Sequence, residues 1–258
     1  MYSGVTAINR RLQVEICVGD VASAIAAESG GADRVELCDN LAVGGTTPSA
    51  GTIAESCRRL SIPVHILIRP RAGDFVYSEP EVAVMRHDIE FAKVLGAAGV
   101  VLGALTPAAD INRELTAELV ALARPLCVTF HKAFDQTHEP LEALDILIAL
   151  GVERVLTSGS RPTALEGIEN LANLVDRAGD QIAVMAGGRL STANLENIIR
   201  QSRVNEVHLG SAASQTTLGT MRTPPHDGSE TSWNCTDPHR VAEIVTLVQS
   251  INGCVLRK

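Results

Sequence analysis

An alternation of short β-rich runs with longer helical patterns is the feature of this sequence that most constrains its fold. Eight runs of strand length are each followed by a helical pattern, and eight such units in about 250 residues match a (β/α)8 barrel. The predicted strands are Val14–Val18, Arg34–Cys38, Val64–Arg69, Gly99–Gly103, Cys127–His131, Arg154–Ser158, Ile182–Ala186 and Glu206–Leu209. An open doubly wound sheet would need a glycine-rich turn directly after the first strand, and the turn Cys17–Asp20 lacks it. The sequence therefore predicts an α/β fold, a single TIM-type (β/α)8 barrel.

No linker divides the chain, so we expect residues 1–258 to form one barrel domain. Residues 211–236 follow the eighth strand and are polar and rich in Pro, Ser and Thr, which predicts a long irregular loop. Residues 237–258 are expected to form a C-terminal helix and tail.

Several predicted helices carry clear start signals. Asp20 can cap the first helix, and Thr47 followed by Pro48 is typical of a cap and first position of the second. Ser78 with Glu81 forms a capping box for the third. These signals fix where the first three predicted helices begin.

The composition excludes several classes of function. Aromatic residues make up only 3% of the chain and the net charge is −8, which argues against nucleic-acid and anionic-membrane binding. No apolar run approaches the roughly 20 residues of a spanning helix, and the N-terminal stretch lacks the pattern of a secretory signal. A cytoplasmic location is the expectation. The six cysteines include no CxxC pair, so free thiols are expected and a zinc site of the usual spacing is excluded.

Polar residues share one parity within several predicted strands. Because alternate residues of a strand point to the same face, each of these sets lies on one side. The sets are Glu15 and Cys17, Glu36 and Cys38, His65 and Arg69, Cys127 with Thr129 and His131, and Glu206 and His208. The opposite parity is mostly aliphatic and suits contact with the helices, so the polar side is predicted to face the barrel interior.

Catalytic groups of this fold lie at the carboxyl ends of the strands. Two carboxylates, Glu15 and Glu36, would face the same interior, where mutual repulsion lets one of them hold its proton near neutral pH. The sequence thus predicts acid–base chemistry with Glu15 or Glu36 as base, His131 as acid and Arg69 as anchor for a small anionic ligand. Backbone N–H groups at the ends of the last two strands could bind a phosphate, at Gly187, Gly188, Gly210 and Ser211.

The same residues also allow a structural interpretation. Glu15 and Glu36 could be neutralised by Arg34 and Arg69 in a buried ion network that fixes the barrel register. His131 could cap a loop, and glycine pairs after strands commonly serve tight turns.

Several motifs together resemble those of the CutC family, the so-called copper homeostasis proteins, over almost the whole chain up to the final loop. The motifs are VEICV at Val14, GGADRVELC at Gly30, GGTTPS at Gly44, IRPRAGDFVYS at Ile68, VTFHKAFD at Val128, RVLTSG at Arg154, MAGG at Met185 and EVHLGSA at Glu206. Lys132 departs from the family pattern, which has arginine there. A lysine keeps the charge but loses the forked hydrogen-bond geometry.

The resemblance implies a (β/α)8 barrel, a cytoplasmic protein, self-association as a homodimer or homotetramer, and Cu(I) as the bound ion. The family's candidate copper ligands correspond to Cys17 and Cys38 of this sequence. Cu(I) prefers soft thiolate ligands, and neighbouring parallel strands lie about 4.8 Å apart. The alternative is that both cysteines are small buried packing residues.

Three functions therefore remain open from the sequence. The first is copper homeostasis, with intracellular Cu(I) binding and trafficking through Cys17 and Cys38. The second is an enzyme, a lyase, isomerase or hydrolase acting on a small polar or anionic substrate. The third is a scaffold or interaction protein that uses the loop of residues 211–236.

Overall fold

A computed structural model gives the structure of the chain and describes residues 11–218 and 232–255. Parallel strands β1 to β8 close a barrel in sequence order, which confirms the predicted (β/α)8 fold. The strands are β1 (Gln13–Val18), β2 (Arg34–Leu37), β3 (Val64–Leu67), β4 (Gly99–Leu102), β5 (Cys127–Phe130), β6 (Arg154–Thr157), β7 (Ala183–Ala186) and β8 (Glu206–Leu209). The helices are α1 (Val21–Ser29), α2 (Ala50–Arg59), α3 (Glu79–Val94), α4 (Arg113–Ala123), α5 (Pro140–Ala149), α6 (Ile168–Ala178), α7 (Leu195–Ser202) and α8 (Pro238–Val255).

Two of the predicted helix starts agree with the structure and one does not. The Asp20 side chain accepts a hydrogen bond from the backbone of the first turn of α1, and Ser78 with Glu81 forms the capping box of α3. Helix α2 instead begins after Ser49. The Thr47 hydroxyl accepts a hydrogen bond from the backbone N–H of Arg69 at 2.9 Å, so it ties the loop to the end of β3 and does not cap α2.

The strand register sets which polar side chains meet inside the barrel. Glu15 of β1 lies beside Arg34 of β2 on one side and His208 of β8 on the other. Cys17, two residues further along β1, pairs with Glu36. Apart from Thr157 of β6, the residues of the opposite parity are apolar and pack in the main hydrophobic core beneath the helices.

The prediction of an irregular loop over residues 211–236 is wrong at both of its ends. Strands β9 (Ser214–Leu218) and β10 (Ser232–Thr236) pair antiparallel into a hairpin, preceded by a 3-10 turn at Ser211–Ala213. Both strands are largely polar, so they lack the alternation of apolar and polar residues that marks a half-buried strand. Residues 219–231, the middle of the predicted loop, lie outside the described residues, as do residues 256–258 of the predicted tail.

Among the described residues, no helix has both the length and the apolar content needed to cross a membrane. One face of α7 packs against the barrel, where Leu195, Ile198 and Ile199 are buried.

Candidate functional site

A network of charged side chains lies inside the barrel. The Arg34 guanidinium donates hydrogen bonds to Glu15 and, at 2.8 Å, to Glu206. Arg154 donates to the same Glu206 carboxylate at 2.5 and 3.1 Å. Burial favours the neutral acid, but the charge of Arg34 and a hydrogen bond from His208 outweigh it and hold the pKa of Glu15 well below its usual range. Glu15 is therefore ionised, and its carboxylate is hydrogen-bonded to Arg34 and His208.

His208 connects this network to the opening of the barrel. Its Nδ1 lies 2.8 Å from Glu15 Oε1, and its Nε2 lies 3.7 Å from Glu36 Oε2. Burial opposes a charged imidazole, yet the Glu36 carboxyl and the hydrogen bonds to Cys17 and Glu15 raise the pKa of His208 well above its usual range. In the charged imidazolium both ring nitrogens carry hydrogens, so one N–H donates to Glu15 while the other faces Glu36.

The two cysteines predicted as metal ligands lie side by side. Their Sγ atoms are 3.7 Å apart, and the Cys38 thiol lies 3.5 Å from Glu36 Oε2. The hydrogen bond from Cys38, followed by the contact with His208, lowers the pKa of Cys17 to about 5 against the effect of burial. The pKa of Cys38 is raised because its proton is held in the bond to Cys17 and because the thiol is buried. The two sulfur atoms thus share one proton, which favours Cys38.

Glu36 differs from Glu15 in its protonation. Burial and the negative Cys17 sulfur raise the pKa of Glu36 well above its usual range. The pKa values of the two interior carboxyl groups are therefore shifted in opposite directions, although both groups are buried.

A cavity of about 600 Å³ opens above these groups at the carboxyl ends of the strands. Cys17, Glu36 and His208 line it, together with the hairpin residues Ser214 and Asn234. Glu15 does not line this cavity and is 1% exposed. The structure therefore brings one of the two predicted carboxylates to the cavity and keeps the other beneath it.

Arg69 lines the cavity but is occupied by the protein backbone. Its guanidinium donates hydrogen bonds to the carbonyl oxygens of Val43, Gly45 and Gly73, at 3.2, 2.7 and 2.9 Å. These bonds join the loops that follow β2 and β3. The Nε–H of Arg69 is buried and has no partner among the described residues, so the role as a ligand anchor stays a prediction.

His131 lies at the end of β5 on the wall of the cavity and is 4% exposed. Its Nδ1 accepts a hydrogen bond from the Ala133 N–H at 3.2 Å, and its Nε2 has no partner in the described part of the chain. Burial, with a smaller effect of Arg69, lowers the pKa of His131 to about 3. The imidazole is therefore neutral at pH 7 and offers a single N–H donor, which differs from the expected catalytic acid.

A glycine makes room for this ring. A Cβ atom at Gly103 would lie 2.5 Å from both Nδ1 and Cε1 of His131. Any other residue at the end of β4 would displace the imidazole from its position.

The motifs singled out in the sequence belong to a known family. The model of the CutC family matches residues 12–213, well over half of the chain. The chain belongs to the CutC family.

Similar proteins come from animals and bacteria. The copper homeostasis protein cutC homolog of Mus musculus is 48% identical over 213 residues, covering 83% of this chain and 78% of the mouse protein. The human protein of the same name is 45% identical over 240 residues, with 93% and 88% covered. The crystal structure of a CutC protein from Streptococcus agalactiae has a TM-score of 0.74 at 36% identity, covering 78% of this chain and 98% of that one. A thiamine phosphate pyrophosphorylase from Pyrococcus furiosus, at 15% identity and a TM-score of 0.60, shares the fold alone.

A second cavity, of about 400 Å³, adjoins the first in this CutC chain. Gly187, Gly188, Gly210 and Ser211, the predicted phosphate-binding positions, all line it. The Gly187 N–H donates to the Thr157 carbonyl oxygen at 2.9 Å, so it is not available to a ligand. Gly188 has a φ of +104°, a conformation that glycine adopts without strain.

Sequence reasoning assigned no role to several residues of the two cavities. His208 was placed on the interior face by its parity with Glu206, and only its contacts with Glu15 and Glu36 reveal its part in the site. Arg161 and Arg189 line the second cavity and follow the ends of β6 and β7 by four and three residues. Basic residues so close to strand ends are a usable signal in a barrel of this fold.

Proposed function

We propose that this CutC family member takes part in copper homeostasis by binding Cu(I) between Cys17 and Cys38. The observation that carries the proposal is the 3.7 Å separation of the two Sγ atoms beside the cavity. Two metal–sulfur bonds of about 2.3 Å span a separation of this size. Soft thiolate ligands favour Cu(I) over harder ions.

The protonation of the interior supports a monovalent ion in particular. Cys17 favours the thiolate, while the raised pKa values of Cys38 and Glu36 favour their protonated forms. If Cu(I) enters and one proton leaves Cys38, the net charge of the interior does not change. A divalent ion would need a second proton to leave this buried cluster. Glu36 completes a group of three metal-ligating side chains, whose ligand atoms lie within 4.8 Å of one another.

The test is an anaerobic titration of the reduced protein with Cu(I) against a chromophoric chelator. We expect one Cu(I) per chain and a loss of at least about 100-fold in affinity in both Cys17→Ser and Cys38→Ser, because a hydroxyl is a poor ligand for a soft ion. Cys57→Ser is the matched control, since Cys57 is half-buried on α2, outside the group of metal-ligating side chains, and should leave binding unchanged. Unchanged stoichiometry in both site variants would contradict the proposal.

We also propose a second function, acid–base catalysis on a small anionic substrate, because the two interior carboxyl groups favour opposite protonation states. Glu36 is the proton donor in this scheme, and the Cys17 thiolate is the acceptor. His208 stabilises the negative charge that develops between them. All three line the larger cavity, whereas Glu15 holds His208 from below.

Proton exchange with solvent tests this second function. Small carbonyl compounds with carboxylate or phosphate groups, incubated with copper-free protein in D2O, should incorporate deuterium next to the carbonyl carbon, as followed by proton NMR. Glu36→Gln should lower the exchange rate by about 100-fold or more. Glu55→Gln on the exposed face of α2 is the control. Exchange that persists in Glu36→Gln would rule out Glu36 as the proton donor.

A further inference from the structure

The smaller cavity is lined by cationic side chains that are not paired with carboxylates of the described chain. Lys132, Arg161 and Arg189 line it, and within residues 11–218 and 232–255 none of their side chains has an ion-pair or hydrogen-bond partner. Most other described arginines are bound to carboxylates, as Arg86 is to Glu118. In a chain with a net charge of −8, unpaired cations gathered at one cavity indicate a site for an anion.

The single carboxylate in the lining of this cavity does not neutralise these cations. Asp135 accepts hydrogen bonds from the hydroxyls of Thr157 and Ser158 and from the backbone N–H groups of Ser158 and Ser160. Its charge is satisfied by these donors, which also hold the turn after β6 in place. The cations therefore remain available to a ligand.

The backbone at this cavity is held in an uncommon conformation. Arg189 has a φ of +55°, in the left-handed region that non-glycine residues seldom adopt. Such strain persists where the surrounding structure requires it, and it is concentrated at ligand sites. Arg189 directly follows Gly188, and its cationic side chain lines the cavity.

We propose that the smaller cavity binds the phosphate group of a small phosphorylated molecule through Lys132, Arg161 and Arg189. Three cations suit a dianion, whereas a carboxylate would leave most of the positive charge unmatched. The two cavities share part of their lining, including Lys132, His208 and Gly210. The body of the ligand extends from the phosphate into the larger cavity.

The larger cavity supplies a donor for that body. His131 lines this cavity, and its buried Nε2–H has no partner within the described chain, so it suits a carbonyl or hydroxyl oxygen. Glu36 and Cys17 line the same cavity. The inference deepens the acid–base proposal by naming its substrate class, and it rests on that proposal only for the chemistry that follows binding.

Calorimetric titration with inorganic phosphate and with glycerol 3-phosphate, at constant ionic strength and without copper, tests the site. We expect both ligands to bind. Arg161→Ala and Arg189→Ala should each weaken binding by about tenfold. Arg113→Ala, an exposed arginine on α4 outside both cavities, is the matched control and should bind as the parent does. The affinity for glycerol 3-phosphate should fall as the pH drops below about 6, where a phosphate ester loses its second charge.

Two results would overturn the site. One is equal affinity of the Arg161→Ala/Arg189→Ala double variant and the parent protein. The other is binding of uncharged glycerol as tightly as glycerol 3-phosphate. Phosphate binding without deuterium exchange in any compound would remove the acid–base proposal and leave this one standing. Exchange of phosphorylated compounds that the double variant leaves undiminished would instead remove the phosphate assignment.

Discussion

Replacing Arg34 by methionine should lower the free energy of unfolding at pH 7 by about 3–5 kcal/mol, the cost of removing one partner from a buried ion pair. The Arg34 side chain is 8% exposed, and it is bonded to Glu15 and Glu206, which are exposed to 0% and 9%. Its removal leaves Glu15 with His208 as the remaining partner and Glu206 with Arg154. Urea denaturation followed by circular dichroism measures the loss.

The loss should depend on pH with a definite sign. In the parent protein the pKa of Glu15 is held below its unfolded value, so its ion pairing stabilises the fold above that value and is lost as the pH falls. Without Arg34, burial raises the pKa of Glu15 and the folded variant takes up a proton more readily than the unfolded chain. The difference between parent and variant should therefore be widest near pH 7 and narrow as the pH falls toward and below the unfolded value of about 4.3.

An exposed arginine provides the control for this experiment. Arg58 pairs with Glu55 on the surface of α2, with the two side chains 62% and 47% exposed, and Arg58→Ala should leave the unfolding midpoint almost unchanged. A loss in Arg34→Met no greater than in Arg58→Ala, or one that does not vary with pH, would show that the interior network does not stabilise the barrel.

Strand periodicity explains why so much of the fold and the interior could be predicted. A period of two fixes the face of every residue once a strand is recognised, so Cys17, Glu36 and Cys38 were assigned to one interior before any contact was known. The hairpin of β9 and β10 escaped recognition because its pairing brings together polar segments whose composition is also typical of loops.

Protonation states and loop contacts could not be read from the sequence. Glu15 and Glu36 have the same local context, an acidic residue two positions before a cysteine in an apolar strand. They differ because Glu15 contacts Arg34 on the neighbouring strand, while Glu36 faces the Cys17 sulfur. The carbonyl partners of Arg69 likewise depend on how two loops fold over the barrel. Both results depend on three-dimensional neighbours that no local pattern encodes.

The thiol pair yields the second large expected effect, on chemical reactivity. Alkylation of Cys17 by iodoacetamide in the copper-free protein should follow a titration near pH 5, whereas Cys57, whose pKa is raised by burial, should react only as the pH rises toward 9. At pH 6 the thiolate fraction at Cys17 exceeds that at Cys57 by at least about 10³, and the weaker nucleophilicity of a less basic sulfur leaves an advantage in rate of at least about tenfold.

Two variants identify the cause of this reactivity. The hydrogen bond from Cys38 and the contact with His208 both lower the pKa of Cys17, so Cys38→Ala and His208→Gln should each move its titration to higher pH. Peptide mass spectrometry measures both cysteines in the same sample, and Cys57 should not change between variants. If Cys17 in the parent protein instead reacts in step with Cys57 between about pH 6 and pH 9, the sulfur is an ordinary buried thiol. The site would then not be poised to exchange one proton for one Cu(I).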